Sequence, residues 1–213
     1  MIFNYGIPSY ARPQCKTVDT LLKAGVKTEN IYVSLQDESQ ITEYKKWHPD
    51  VNFLFRKADC AAGNRNTILA HVPLPLILLD DDISSITIKL PGRNFKSAYE
   101  KERWLPILEK AITVAKENRC SIIGIAPTAN SIIAANRRQY SFDVLLQGSF
   151  LVVLETIRFD DRWKMCEDFE LSLRTIRHGH TMRINHMSVN KPRNGTNSGG
   201  MHELYGGGIY LCG

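Results

Sequence analysis

The sequence lacks a long apolar run. No stretch of its 213 residues approaches the roughly 18 consecutive apolar residues that a bilayer-spanning helix needs, which excludes the class of helical membrane proteins. Residues 1–6 contain no basic segment followed by an apolar one, so we expect no export signal. We therefore expect a protein that acts in the cytoplasm and has no membrane partner.

Paired cysteines and tracts of biased composition are also missing. The five cysteines are odd in number and scattered, and they include no C-x-x-C pair and no histidine at zinc-finger spacing. This excludes a disulfide-stapled secreted module and a structural zinc site, and it favours a reducing compartment. We find no low-complexity tract and no repeat period, which excludes a solenoid or a repeat array.

What remains is the composition of an ordinary globular domain. Hydrophobic residues make up 43% of the chain and charged residues 23%. A chain of this length buries one core, so we expect residues 1–213 to form a single domain. The formal net charge of +5 is compatible with a polyanionic partner such as DNA but does not require one.

Strand-like and helix-like segments alternate through residues 1–90. Short apolar runs predict strands at residues 2–7, 31–35, 51–55 and 74–79. Apolar residues recur at helical spacing between these runs, most clearly over 61–71. Such alternation requires right-handed crossovers, so we predict an α/β fold with a mostly parallel sheet flanked by helices. We expect this half to bind a nucleotide.

The second half, residues 91–190, is more mixed. We predict a long helix over 99–118 that Pro106 interrupts, a strand over 121–125, and one or two strands over 142–154 around Gly148. A clear helix follows over 166–178 and a last strand over 182–189. Residues 190–213 are basic and glycine-rich, and we expect them to form a flexible tail.

Three carboxylates follow the fourth predicted strand. The aliphatic run 76–79 reads as a strand that is buried on both faces, and Asp80, Asp81 and Asp82 come directly after it. Ligands bind beyond the carboxyl ends of the strands in open parallel sheets. The triplet has no basic neighbour in the sequence, so its charges repel unless a cation neutralises them. The alternative is a solvated acidic turn.

Other polar residues are further candidates for functional roles. Turn residues follow the first strand, a carboxylate follows the second, an arginine opens the third helix, an acidic pair opens the helix at 166–178, and a histidine lies on the last strand. These candidates are Pro8, Ser9, Tyr10, Arg12, Asp37, Arg65, Glu167, Asp168 and His186. Simpler interpretations remain open: turn chemistry for Ser9, a solvated helix surface for Arg65, and packing for His186.

Five stretches, in chain order, resemble GT-A glycosyltransferases of family 2. They are Ile-Pro-Ser-Tyr-Ala-Arg at 7–12, Gly-Asn-Arg-Asn at 63–66, Leu-Asp-Asp-Asp at 79–82, Arg-Phe-Asp-Asp at 158–161, and Glu-Asp-Phe-Glu-Leu-Ser-Leu-Arg at 167–174. Within that superfamily the chain looks most like the TET-associated and bacteriophage DNA-base glycosyltransferases. The chain departs from the family 2 pattern at Asn64, where alanine is usual, and at Asp161, where glutamate is common.

The resemblance implies a GT-A, Rossmann-like, metal-dependent enzyme. It would move a sugar, with inversion, from a nucleotide-sugar donor to an acceptor hydroxyl, and we expect a UDP-sugar and a hexosyl group. The acceptor would be a 5-hydroxymethylpyrimidine in phage DNA, modified in the host cytoplasm. Trp163, shortly before the acidic pair, is either a core aromatic or a platform for that acceptor.

The resemblance also implies roles for the candidate residues. It places Mn²⁺ or Mg²⁺ at Asp80, Asp82 and His186, and it makes Asp168 the catalytic base with Glu167 beside it. Contacts to the nucleotide sugar would come from Pro8, Ser9, Tyr10, Arg12, Asp37, Arg65, Asp80 and Asp81.

Three other functions stay open at this point. The chain could be a glycosyltransferase that acts on a protein or glycan, or a nucleotide- or nucleic-acid-binding module without turnover. It could also be a nucleotidyltransferase, although such enzymes carry several basic residues after the first strand and this loop has only Arg12.

Overall fold

The computed structural model describes residues 2–57, 60–89, 94–130 and 138–192. Strands and helices alternate through most of these ranges. In chain order they are β1 (Asn4–Ser9), α1 (Lys16–Lys23), β2 (Ile31–Leu35), α2 (Ile41–Trp47), β3 (Asn52–Phe55), α3 (Ala61–His71), β4 (Leu76–Leu79), β5 (Ser85–Lys89), β6 (Phe95–Ser97), α4 (Lys101–Glu117), β7 (Cys120–Ile125), β8 (Tyr140–Phe142), β9 (Phe150–Val153), α5 (Glu167–His178), β10 (His180–Ile184) and β11 (Met187–Asn190).

Eight of these strands form one large sheet in the order β3-β2-β1-β4-β9-β7-β10-β8. The first four are parallel to one another, and β10 is parallel to β7. β9 is antiparallel to both of its neighbours, and β8 is antiparallel to β10, so six strands share one direction. A smaller antiparallel sheet has the order β11-β5-β6. The predicted α/β fold, with a mostly parallel sheet flanked by helices, is confirmed, and it is Rossmann-like.

The aliphatic run of β4 forms the centre of the large sheet. All four side chains are buried, because successive residues point to opposite faces and helices cover both. Ile77 and Leu79 belong to one hydrophobic cluster, whereas Leu76 and Leu78 belong to the cluster on the other face. Burying each such side chain contributes about 1.5–3 kcal/mol. β4 is therefore a rigid base for the acidic triplet that follows it.

Close packing of α3 against β1 requires a glycine at position 6. A Cβ there would overlap Cγ2 of Ile68 and would lie 3.2 Å from Cδ2 of Leu78. The missing side chain lets α3 approach the strand closely and brings its first turn to the carboxyl ends of β1 and β4.

Several details of the predicted elements are wrong. β1 was expected to end at Ile7, but it continues through Pro8 to Ser9, and both residues pair with β2. On its other side, β1 pairs with β4 only as far as Gly6, so the missing N–H of Pro8 costs no hydrogen bond to β4. α4 runs through Pro106 without interruption, since the buried Trp104 and Leu108 hold it against the sheet.

The predicted last strand is two strands in different sheets. β10 stays in the large sheet, and the chain then turns at Asn185 and His186 so that β11 pairs with β5. The Asn185 amide fixes this turn by donating to the carbonyl of Arg138 and to Oγ of Ser141. Of the tail predicted for 190–213, residues 193–213 lie outside the described residues.

Candidate active site

The acidic triplet is held in place by the first turn of α1. The Thr17 hydroxyl donates to the carbonyl of Asp80 at 2.5 Å and accepts from the amide of Ile83 at 2.9 Å. The Thr17 amide donates to the carbonyl of Asp81. The turn after β4 is therefore fixed by backbone contacts, and its carboxylates have defined directions.

Three cationic side chains neutralise the triplet. Nη1 of Arg12 lies 2.6 Å from Oδ1 of Asp81, Nη2 of Arg65 lies 3.1 Å from Oδ1 of Asp80, and Nζ of Lys191 lies 2.8 Å from Oδ2 of Asp80. The premise that the triplet has no basic neighbour is therefore wrong in the folded chain. Two of these partners are 69 and 111 positions away in the sequence, so local inspection could not find them.

Asp81 and Ser9 form an internal support rather than an open ligand site. Both are buried, and the Ser9 hydroxyl donates to Oδ2 of Asp81 at 2.6 Å. The Tyr44 hydroxyl lies 2.7 Å from the same oxygen of Ser9 and accepts from the amide of Arg12. Burial raises the pKa of Asp81, and Arg12 opposes the rise. Ser9 and Asp81 thus shape the loop that carries Arg12, and their predicted contacts to a nucleotide stay predictions.

Asp80 and Asp82 are the two members of the triplet that reach solvent, with side chains 25% and 16% exposed. Burial disfavours ionised Asp80, but Lys191 and Arg65 outweigh this effect and lower its pKa. Burial and the charge of Asp80 raise the pKa of Asp82. The pKa values of the two carboxylates are therefore shifted in opposite directions.

These two carboxylates suit a hard divalent ion. Mg²⁺ and Mn²⁺ prefer carboxylate oxygens, and the ammonium group of Lys191 already lies where it neutralises both Asp80 and Asp82. Lys191 acts as a stand-in cation, which shows that this position accepts positive charge. Within the described ranges, no set of three His, Cys, Asp or Glu side chains has a metal-binding arrangement. The divalent ion stays a prediction, and it would have to displace Lys191.

His186 lies away from the triplet. Its carbonyl accepts from the amide of Lys89 at the far end of β5, whereas Asn190 pairs with Ser85 at the end next to Asp82. The two ends of β5, Ser85 and Lys89, are four residue steps apart, which is about 13 Å. The structure thus brings Lys191, rather than His186, to the candidate metal position.

The remaining candidates of the first half line the carboxyl edge of β1 and β2. Pro8 and the half-buried Tyr10 lie where β1 ends, and Asp37 is exposed just after β2. Asp37 accepts from the amide of Ser39 at 2.9 Å, and hydrogen bonds from Ser39 lower its pKa. Asn64 fixes this edge, since its amide donates to the carbonyl of Ser9 and its oxygen accepts from the Ser34 hydroxyl. Asn64 therefore links α3 to the ends of β1 and β2.

Arg65 is buried between the two halves of the chain. Its side chain is 6% exposed and forms ion pairs with Asp80 at 3.1 Å and with Glu167 at 3.6 Å. The Phe159 ring centroid lies 5.4 Å from its Cζ. The guanidinium charge is thus directed to internal carboxylates, and a solvated helix arginine is excluded.

The acidic pair opens α5 as the sequence indicated, but its two members differ in environment. Glu167 is 8% exposed and burial raises its pKa, with Arg65 opposing the rise. Asp168 is more exposed; its Oδ2 accepts from the amide of Gly148 at 2.6 Å and its Oδ1 from the amide of Phe169 at 2.9 Å. Asp168 is therefore the one that is oriented and accessible.

Several functional contacts could not be found from local sequence. Thr17, Tyr44 and Lys191 carry no motif, and the role of Gly148 depends on what packs against it. Gly148 was placed on a strand but lies in the turn before β9. Two features of the sequence pointed to contacts of this kind: the departure from the family pattern at Asn64, and the glycine at position 148.

The model of one protein family, TET-Associated Glycosyltransferase, matches residues 6–200. No curated protein is similar enough in sequence to be matched to this chain. No helix among the described residues has the length and apolar character needed to cross a membrane. The family match covers both the acidic triplet after β4 and the acidic pair that opens α5, together with the sheet that joins them. This chain therefore belongs to the TET-associated glycosyltransferase family.

Proposed function

We propose that this chain transfers a sugar from a UDP-sugar to an acceptor hydroxyl with inversion. Family membership implies glycosyltransferase activity in general terms. One observation carries the proposal: Asp80, after β4, and Glu167, at the head of α5, are ion-paired to the same buried guanidinium. A donor bound at the sheet edge would therefore lie beside the acidic pair that faces an acceptor.

The donor would bind at the carboxyl ends of β1, β2 and β4. Tyr10 and Asp37 border this edge and would hold the base, while Arg12 and Lys191 offer positive charge to the diphosphate. A divalent ion bound by Asp80 and Asp82 would supply Lewis-acid neutralisation of the leaving diphosphate.

Asp168 would act as the catalytic base. It would take the proton of the acceptor hydroxyl as that oxygen bonds to the anomeric carbon, and the bond from that carbon to the diphosphate would break on the opposite side. UDP would leave with the bonding electron pair. Glu167 fits this role less well because it is buried against Arg65, whereas Asp168 is held by two backbone amides and is partly exposed.

We propose a 5-hydroxymethylpyrimidine in DNA as the acceptor. A base in a duplex cannot reach a carboxylate in a sheet crevice, so it would have to be extruded or offered in a single strand. Trp163, shortly before Asp168 in the chain, and Phe169, directly after it, are 40% and 39% exposed, which suits stacking on such a base. The net charge of +5 favours a polyanion.

The test is transfer to defined DNA. Purified protein is incubated with Mn²⁺, a panel of UDP-sugars and DNA that carries 5-hydroxymethylcytosine or 5-hydroxymethyluracil, and the digested nucleosides are analysed by mass spectrometry. The proposal predicts a sugar adduct with wild type and a strong reduction with Asp168→Asn. It also predicts that DNA affinity falls between about 50 and 200 mM salt. An adduct on a protein or glycan only would replace the DNA acceptor, and binding without any adduct would identify a module without turnover.

A further inference from the structure

We propose that Arg65 is a positioning residue that fixes the distance between the donor-side carboxylate Asp80 and the base Asp168, with Gly148 as its spacer. This inference rests on the proposed function. The guanidinium contributes nothing to the acceptor in this role and acts through the groups packed around it.

The first observation is the cost of placing Arg65 where it lies. Its side chain is 6% exposed, and neither Nε nor Nη1 has a hydrogen-bond partner within the described part of the chain. Burying a cation with incomplete hydrogen bonding is expensive, and apolar side chains would often stabilise the fold as well. The position of Arg65 is better explained by its ion pairs with Asp80 and Glu167, which it holds close together.

The second observation is the fit between the guanidinium and Gly148. A Cβ on Gly148 would overlap Nη1 of Arg65 and would lie 2.7 Å from Nη2 and 2.9 Å from Cζ. The backbone of this turn therefore packs directly against the guanidinium group. The Gly148 amide in turn donates to Oδ2 of Asp168 at 2.6 Å. A shift of the guanidinium would thus move the hydrogen bond that orients Asp168.

The same turn is also tied to the donor side. The amide of Asp80 donates to the carbonyl of Ser149, the residue after Gly148. Asp80 and Asp168 therefore each bind one end of the segment 148–149, and Arg65 packs against this segment. Glu167 closes the arrangement through its ion pair with Arg65.

The head of α5 is built to present these carboxylates. Cys166, immediately before the helix, has a φ of 60° in the left-handed region, which is uncommon for a residue with a side chain. Such conformations persist only where the surroundings impose them, and they concentrate at functional sites. The two residues that follow it are held by their own contacts, Glu167 with Arg65 and Asp168 with Gly148.

Two variants separate geometry from charge. Gly148→Ala keeps every charge but pushes the guanidinium aside, whereas Arg65→Gln removes both the positive charge and the guanidinium group. Both are expected to lower kcat by about 10- to 100-fold, because displacements near 1 Å at reacting groups have effects of this size. The donor KM and the Kd for UDP should stay within about threefold of wild type. Arg65→Lys, which keeps the charge, should recover part of the loss.

Matched controls exist on α5 and just beyond it. Arg174→Gln removes an exposed arginine that pairs with Glu170, and Gly179→Ala places a Cβ 3.6 Å from the carbonyl oxygen of Arg119, which is ordinary contact. Arg174→Gln and Gly179→Ala should both keep wild-type kcat, because, among the described residues, neither one contacts Arg65, Gly148 or Asp168. Thermal unfolding of all variants identifies any that are not folded, and Gly148→Ala decides the question if Arg65→Gln does not fold.

Two results of the binding and activity assays would overturn the inference. One is a loss of UDP affinity that parallels the loss of kcat, since Arg65 would then be a donor ligand. The other is wild-type kcat in Gly148→Ala. Crystal structures of wild type and Gly148→Ala measure the separation of the Asp80 and Asp168 carboxylates directly. If this separation is the same in Gly148→Ala as in wild type, the inference is wrong, even if neither protein transfers a sugar. If the separation changes but the wild-type protein transfers no sugar, only the proposed function is contradicted.

Discussion

Replacing Lys191 with glutamine should strengthen the binding of Mn²⁺ to the donor-free protein. The Lys191 ammonium donates to Oδ2 of Asp80 at 2.8 Å, and it must leave that oxygen before a metal ion can use it. Burial disfavours the charge on Lys191, but Asp80 outweighs burial and raises its pKa, so the ammonium stays protonated at neutral pH. Glutamine is of similar length and is neutral, so it removes the competing charge.

The size of the effect follows from the exposure of the pair. Fully exposed ion pairs contribute about 0.2–1 kcal/mol, and hydrogen bonds to charged groups in protected positions about 1.5–3 kcal/mol. The Lys191 and Asp80 side chains are 24% and 25% exposed, which places the pair between these limits, at about 1–2 kcal/mol. Because 1.4 kcal/mol corresponds to a factor of ten, the Kd for Mn²⁺ should fall by about 5- to 30-fold.

The assay is isothermal titration of the donor-free protein with MnCl₂ at pH 7. Lys96→Gln makes the same charge change at an exposed position on β6 and is the control. Asp82→Asn in the Lys191→Gln background should abolish the gain. If Lys191→Gln binds Mn²⁺ as wild type does, or more weakly, Lys191 does not occupy the metal position and the reasoning fails.

Four further predictions follow from the site and its surroundings. Asp82→Asn should abolish the Mn²⁺ dependence of UDP binding in calorimetry; equal binding by wild type and variant in chelator would contradict the metal assignment. Asp168→Asn should lower kcat while sparing the Kd for the donor, and single-turnover kinetics should show the defect in the transfer step. Ser9→Ala removes a buried hydroxyl that bonds Asp81, so urea unfolding should show a loss of about 1–3 kcal/mol, with an unchanged midpoint as the contrary result. Burial lowers the pKa of His48 in the folded protein, so on acidification His48 of the unfolded chain takes up its proton first, and stability should fall as the pH drops below 6.5. His48→Gln should flatten this pH dependence, which urea titrations at pH 7.5 and 5.5 would measure.

The local patterns of the sequence predicted the parts of the fold that depend on neighbours in the chain. The aliphatic run 76–79 indicated a strand buried on both faces, and it is the central strand β4. The bounds predicted for α3 are those of the structure, and α5 begins within one residue of its predicted start. These predictions succeed because periodicity and capping act over a few residues.

Predictions about single residues failed where a distant partner decides the outcome. Pro8 was expected to end β1, but the pairing partner on one side had already ended, which only the sheet order reveals. His186 was predicted to lie on the last strand, but it lies in the turn between β10 and β11 that the Asn185 side chain fixes, next to the far end of β5.

The sequence by itself determined that a carboxylate cluster stands at the end of a buried central strand and that an acidic pair opens a later helix. Hydrophobic patterning is enough for that, because it specifies which residues are buried and where strands end. Only the tertiary structure decided that Arg12, Arg65 and Lys191 neutralise the cluster, and that Arg65 also contacts Glu167. The physical reason is that Coulomb interactions depend on separation in space, and folding brings together charges that lie up to 111 positions apart in the chain.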